Sequence, residues 1–416
     1  MDERTSNIKV NVLWNTFGSL FYCGCQWLIT VLVIWLSKTA YDTAGILSLA
    51  MTTSSSFSAI SLFGMRNYQV SDVKEEYSVS EYVGSRIITC VIAFVSCAVY
   101  SLVTKSVYVM LCVDAFMLIR VAEALVDVLH GVDQKNDRYD LIGKSYIIRA
   151  VLTVVTFSAV LMIKDDIFAA LLIMAICNLA AAVIFDWVRT GRLETVKPVL
   201  FSRKVFNLLK ECAPLVVFNF LMSIQNLMAK EALANLYGRE ELGIYSTIAT
   251  PTLVVQVFAS VAFNPFLPGI SKTYIDGKLS EFRKLLYKVY LALAVLCAVS
   301  LIGAAILGKT VLSILFASKP DLLDYFYLFI PIVWCTIMIA FIWVLSAIVI
   351  AMRRIRLLVW GMIADFAGCL LIVNYVVGKA GMNGVSFVQM ITYGVYILFI
   401  IVSLEIILYR ENKRLK

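Results

Sequence analysis

The chain has 416 residues, of which 61% are hydrophobic and 15% charged, with a formal net charge of +8. Soluble domains run at about 45–50% apolar and about 25% charged residues, so this composition excludes a water-soluble globular protein and describes an integral membrane protein. The excess of Lys and Arg collects between apolar runs, where it acts as a topology signal, and nucleic acid is excluded as a partner.

A helix needs roughly 20 apolar residues to cross the hydrocarbon, and runs of that length predict twelve spans near 11–36, 43–65, 83–104, 107–129, 145–163, 167–188, 213–236, 243–270, 285–307, 323–351, 358–377 and 383–408. Ten-residue alternating strands do not occur in the sequence, so the expected fold class is all-α. The first run is too long for a signal-peptide core and no small-residue cleavage site follows it, so it reads as a retained helix. An even number of spans puts both termini on one side. Most Lys and Arg lie on that side, including RTGRLETVKPVLFSRK and RENKRLK, so both termini are expected in the cytoplasm. The ten cysteines fall mostly inside spans without metal-ligand spacing and read as packing residues. The single histidine, His130, is expected at a cytoplasmic helix end in a dipole or snorkelling role.

Span 1 lines up Asn11, Asn15, Gly18, Tyr22 and Gln26 on one face, fit either for close helix packing or for lining a cavity. Span 2 ends in FGMRNYQVSD, where Arg66 and Gln69 are i, i+3 neighbours, and Arg66 read alone is an inner-surface anchor. The decisive stretch is span 4. Arg120, Glu123 and Asp127 fall at i, i+3 and i+7 and share one stripe of a helix. Each charge costs about 2.5–3.5 kcal/mol at the centre of a span, while each Leu, Ile, Val or Phe returns only about 0.3–0.6. The stripe must therefore face protein or water, which makes it a functional-site candidate.

A polar inner loop follows, then spans 5 and 6 joined by Lys164-Asp165-Asp166 as a hairpin, with Asp186 and Arg189 expected to form a local pair. Residues 191–211 are basic and partly amphipathic through Val205, Leu208 and Leu209. They read as a linker along the membrane surface between an N-lobe, residues 1–190, and a C-lobe, residues 212–416. A short echo, Gly45-Ile46-Leu47-Ser48 against Gly243-Ile244-Tyr245-Ser246, is consistent with two six-helix halves. In span 7, Asn219, Ser223, Asn226 and Lys230 share a face, with Lys230 either on the cargo side or snorkelling outward. Pro251 is expected to kink span 8 and Pro265 and Pro268 to end it, while Pro331 lies in a span long enough to require tilt. Asp365 sits between Gly361 and Gly368 as a buried acid, and Glu405 reads as an anchor. Arg66, Arg120 and Lys230 would form a ladder of positive charge through the membrane if their faces converge. Such a ladder suits an anion, and with no catalytic motif in the sequence it predicts transport rather than an enzyme.

WNTFGSL in span 1, GMRNYQVSD after span 2, HGVDQKNDRYDLIGKSYIIR after span 4 and LGIYSTIATP followed by ISKTYIDGKLSEFRKLL carry a resemblance. On these stretches the chain resembles the Wzx-type polysaccharide-unit flippases of the multidrug/oligosaccharidyl-lipid/polysaccharide exporter superfamily. The resemblance implies two six-helix lobes around a central cavity, alternating access, and a lipid-linked oligosaccharide as cargo in the cytoplasmic membrane. In that setting Arg66, Arg120 and Lys230 would bind the diphosphate. Asn15, Gln26, Gln69, Asn219 and Asn226 would offer polar contacts to sugars. Glu123, Asp127 and Asp365 would hold the cations or bind a coupling H⁺ or Na⁺, with no other cofactor and no metal site. A polysaccharide polymerase or other assembly machinery is an expected partner. The alternatives are a multidrug or organic-cation antiporter of the same superfamily, which would want an acidic cavity, and a membrane-embedded polymerase or glycosyltransferase, which would want a large external loop or a nucleotide-sugar site.

Overall fold

The computed structural model describes residues 2–72, 76–252, 276–317 and 319–414, with 255, 263, 273 and 274 between the second and third stretches. All regular structure among these residues is helical. Ten of the helices are long and apolar enough to cross a membrane. Val107–Lys135, the predicted fourth span, fails that measure of composition because Asp114, Arg120, Glu123 and Asp127 crowd it, although its 29 residues give it the length. Most of the predicted eighth span, with Pro265 and Pro268, lies outside the described residues. The chain is an all-α, multi-pass membrane protein.

The chain divides into two compact units, residues 1–227 and 228–416. In the first unit α1 (Asp2–Leu36) packs along α6 (Tyr139–Lys164), while α2 (Ala40–Leu62) is buried between α5 (Val107–Lys135) and α4 (Val79–Thr104). A short helix α3 (Met65–Ser71) rests on the end of α5. The α1–α6 contact is backbone to backbone: a Cβ added at Gly18 would stand 2.4 Å from the Gly143 carbonyl oxygen, and one at Gly143 would stand 2.2 Å from that of Trp14. Small residues permit this approach, and it accounts for part of the polar, small face of span 1 as close packing.

Local chemistry explains the helix ends. α4 starts at a capping box, in which the Ser78 hydroxyl accepts from the Glu81 N–H and the Glu81 carboxylate accepts from the Ser78 N–H. The α6–α7 hairpin turns as expected. Asp165 adopts the left-handed conformation after Lys164, and Asp166 caps α7 (Ile167–Ala181) by accepting from the Phe168 N–H at 3.0 Å.

Three expectations need correction. α7 runs into a π-helical turn, Ala182–Trp187, before the single turn α8 (Val188–Thr190). The wider turn breaks the i, i+3 register, so Asp186 faces His130 while Arg189 lies over the Phe185 ring at 5.0 Å, and the two form no pair. His130 does not snorkel; it is fully buried beneath Tyr146, ring centroids 5.0 Å apart. The tenth span keeps no 29-residue α-helix: Pro320–Leu328 is a 3-10 helix and α12 (Phe329–Ala351) begins two residues before Pro331, near the helix start where proline costs little.

α9 (Arg203–Tyr237) is continuous through Pro214 and carries the boundary between the units. The second unit continues with α10 (Arg239–Ala249), which yields to a 3-10 turn at Pro251, then α11 (Leu279–Leu315), α12, α13 (Ile355–Ala380) and α14 (Met382–Arg414). Within it α14 packs on α13 and α12, with the Tyr396 hydroxyl donating to the Leu358 carbonyl at 3.1 Å and Tyr245 bonded to Ser386 at 2.9 Å. Glu405 accepts from Arg283 at 3.0 Å, a cross-helix pair where the sequence suggests a lone anchor.

Candidate transport site

The site is the charged stripe of α5 and what the other helices bring to it. Arg120 donates to Glu123 at 2.7 Å and to the Ser55 hydroxyl of α2 at 3.0 Å, and its guanidinium lies 5.2 Å from the Phe116 ring centroid. Glu123 also accepts a short hydrogen bond from the Tyr22 hydroxyl of α1, which in turn accepts from Gln26 at 2.8 Å. The side chains of Arg120 and Glu123 keep 21% and 19% of their surface open. A cation placed midway along a span is thus neutralised and oriented without being sealed in.

One turn further, Asp127 meets two guanidinium groups. Arg86 of α4 donates to it at 2.8 Å through Nη2 and is fully buried, its Nη1 on the Ser61 and Leu62 carbonyls at the carboxyl end of α2 and its Nε without a partner among the described residues. Arg66 of α3 reaches Asp127 at 3.5 Å and Gln134 at 3.2 Å and is 24% exposed. With one carboxylate between two cations, the Asp127 end of the stripe carries surplus positive charge. Gln69 lies beside it, buried against Gly131, and its amide finds no hydrogen-bond partner among the described residues.

Behind Tyr22 sits a second layer. Arg149 of α6 lies over the Tyr22 ring at 5.3 Å, Tyr146 packs on Tyr22 at 5.5 Å, and His130 and Asp186 follow, 3.8 Å apart. Nε and Nη2 of Arg149, Nε2 of His130 and Oδ2 of Asp186 are buried without hydrogen-bond partners among the described residues. Polar atoms arranged in this way suit water or a transferable proton.

Outside the spans, between α3 and α4, Asp72 is buried, which by itself would raise its carboxyl. The N–H groups of Glu76 and Tyr77 and the Tyr82 hydroxyl outweigh this and hold it below the usual carboxylate range. Glu211 of α9 accepts from Tyr68 at 2.5 Å and from Tyr77 at 3.4 Å, which pushes the Tyr68 phenol upward.

Of the residues singled out from sequence, Arg66, Arg120, Glu123 and Asp127 gather along α5, Gln26 joins them through Tyr22, and Gln69 lies against the same helix. Asn15 is half-buried on α1 beside Gly143, in the packing seam. Asn219 and Asn226 are half-buried on α9, while Lys230 and Asp365 belong to the second unit, where neither is free of partners. Arg86 and Arg149 do not stand out in the sequence, yet they are the two largest fully buried side chains.

No protein-family model matches the chain. The described architecture is shared with solved structures over nearly its whole length. An inward-facing multidrug resistance MATE family transporter of the MOP superfamily aligns over 97% of this chain and 99% of its own, with a TM-score of 0.62 at 13% identity. The chain shares the fold of that transporter. The same fold is found in the lipid II flippase MurJ, inward closed, over 95% of this chain and 87% of that one (TM-score 0.64, 12% identity), and in a mutant of the Vibrio cholerae MATE transporter VcmN over 96% and 97% (TM-score 0.60, 12% identity). In sequence, the chain is 29% identical over 304 residues to the capsular polysaccharide biosynthesis protein CapF of Staphylococcus aureus, covering 71% of this chain and 74% of that protein.

Proposed function

We propose that the protein is a flippase that carries undecaprenyl-diphosphate-linked oligosaccharide units across the cytoplasmic membrane by alternating access of two lobes, for surface polysaccharide synthesis. The observation that carries the reading is Arg120, mid-span, held by Glu123 and Ser55 with a fifth of its surface open. A diphosphate offers that guanidinium the same bidentate geometry as a carboxylate and can displace Glu123 as its partner. The Staphylococcus aureus relative, a capsular polysaccharide biosynthesis protein, supports the polysaccharide role, and the fold shared with a lipid II flippase supports a lipid-linked cargo.

Arg66, with surplus charge at the inner end of α5, would meet the diphosphate first and Arg120 next, about 10 Å further along the helix at 1.5 Å per residue. Lys230 would receive it in the second lobe. Gln26, Asn219 and Asn226 would meet the sugars. A proton on Glu123 would release Arg120 toward the phosphate, coupling the cargo to H⁺; Asp365 is the corresponding acid of the second lobe. An organic-cation antiporter is disfavoured because Glu123 and Asp127 are already matched by Arg120, Arg86 and Arg66. Assembly enzymes such as a polymerase would act on the exported unit.

Deletion of the gene is expected to build up lipid-linked repeat units on the cytoplasmic face. Arg120→Ala should reproduce the defect, while Arg120→Lys keeps the charge without the fork and should restore export in part. Normal surface glycan without build-up in the deletion strain would remove the reading.

A further inference from the structure

In residues 191–210 and just beyond, the acids are partnered and most of the cations are not. Glu194, half-buried, accepts from Asn136 at 2.8 Å, and Glu211, exposed one residue beyond, is taken by Tyr68 and Tyr77. Lys204 is also used, on the Glu76 carbonyl at 3.1 Å. Arg192, Lys197, Arg203 and Lys210 point outward, exposed, with no ion pair or hydrogen bond among the described residues. Three apolar side chains share that outer surface: Val199 at 40%, Phe201 at 84% and Phe206 at 57% exposure. The opposite face of α9, Val205, Leu208 and Cys212, is buried against Met65, Tyr77, Tyr82 and Val128. Phe206 therefore lies among Arg203 and Lys210 at i−3 and i+4, on a helix already seated by its other side.

The height of this segment is fixed. The Val199 N–H donates to the Ser80 carbonyl at 3.0 Å, and its own carbonyl lies so close to α4 that a Cβ on Gly84 would stand 1.9 Å from it. Ser80 is in the first turn of a 26-residue membrane span. Such a helix is about 39 Å long against about 30 Å of hydrocarbon, so its first turn stands at headgroup level. Exposed phenylalanines ringed by unpaired cations at that level match an interface of acyl chains and anionic headgroups.

We infer that residues 192–210 form an interfacial anchor that binds anionic phospholipid, Phe201 and Phe206 entering the acyl boundary while Arg192, Lys197, Arg203 and Lys210 take the phosphates. This goes beyond the transport reading and does not depend on the cargo.

The test uses the full-length protein in nanodiscs of phosphatidylcholine with or without phosphatidylglycerol. An indole placed by Phe201→Trp, read as the difference from the parent chain, should be quenched by brominated phosphatidylglycerol more than by brominated phosphatidylcholine and be shielded from acrylamide, with the preference lost in high salt. Phosphatidylglycerol co-purifying with the protein should fall by about tenfold when Arg192, Lys197, Arg203 and Lys210 are all changed to Gln. Acrylamide quenching like that of a free indole, equal quenching by the two lipids, or unchanged lipid retention in the fourfold variant would each overturn the proposal. Phe206→Trp gives the same readout if the first variant fails to fold.

Discussion

Asp127 holds one negative charge between two guanidinium groups, and the two contacts are not equivalent. Arg86 is wholly buried, bonded at 2.8 Å and further held by the end of α2, whereas Arg66 stands at 3.5 Å and is partly open. Removing either member of the buried pair strands a charge away from water, at a cost of about 3–5 kcal/mol. Losing a longer, more exposed contact costs under about 1 kcal/mol. Asp127→Ala and Arg86→Ala are thus expected to melt well below the parent protein in detergent, and Arg66→Ala close to it; an equal loss in all three would make Arg66 part of the structural lock and unavailable to cargo. Arg86 and Arg149 are hidden in the sequence because a cation within a few residues of the inner end of an apolar run is indistinguishable there from a surface anchor. Only the neighbours, the α2 carbonyls for one and Tyr22 for the other, decide that it points inward.

At the scale of elements, two devices position α5. The first is the α1–α6 seam, where Gly18 and Gly143 bring backbones together so that Tyr22 can lie under Arg149 and reach Glu123. Gly143→Val would force the helices apart, with overpacking worth about 1–3 kcal/mol or more. Gly303→Ala in α11, where an added Cβ meets nothing within 4 Å, is the control. Thermal unfolding should separate them clearly, and similar melting points would deny the seam its role. The second device is the π-helical turn at Ala182–Trp187, which turns Asp186 onto His130. Periodicity assumes a constant 3.6 residues per turn, so the turn is invisible to it and an Asp186–Arg189 pair is expected instead. The 3-10 stretch before Pro331 is hidden for the same reason, while the Asp165 turn is legible because it rests on strictly local chemistry. The apolar residues Val205 and Leu208, read as part of a linker along the membrane surface, belong to α9 and are buried, Leu208 in a cluster with Met65 and Tyr82.

At the scale of the whole molecule, an even number of spans and the Lys/Arg bias predict that both termini are cytoplasmic. Reporter fusions at each end, one active only inside the cell and one only outside, should agree for both termini. Opposite sidedness would mean an odd number of crossings and would break the expected two six-helix halves. The MOP fold spans 97% of the chain at 13% identity to one of its solved examples, so this architecture survives with little of its sequence shared. The reason is that apolar run length and connecting polarity, rather than particular residues, specify helices that cross a bilayer.

By itself the sequence determined the solvent, the helical class, the approximate spans and the presence of a charged stripe at Arg120, Glu123 and Asp127, because burial cost in hydrocarbon is a property of composition along one helix. Which charges meet was decided by tertiary structure alone. Asp127 could have served Arg66 or Arg86, and Glu123 could have faced open water. The packing of α4 on α5 brought Arg86 to the one carboxylate, and the Tyr22 side chain of α1 reached the other, since a pairing across helices depends on their relative rotation, which no spacing within a single helix encodes.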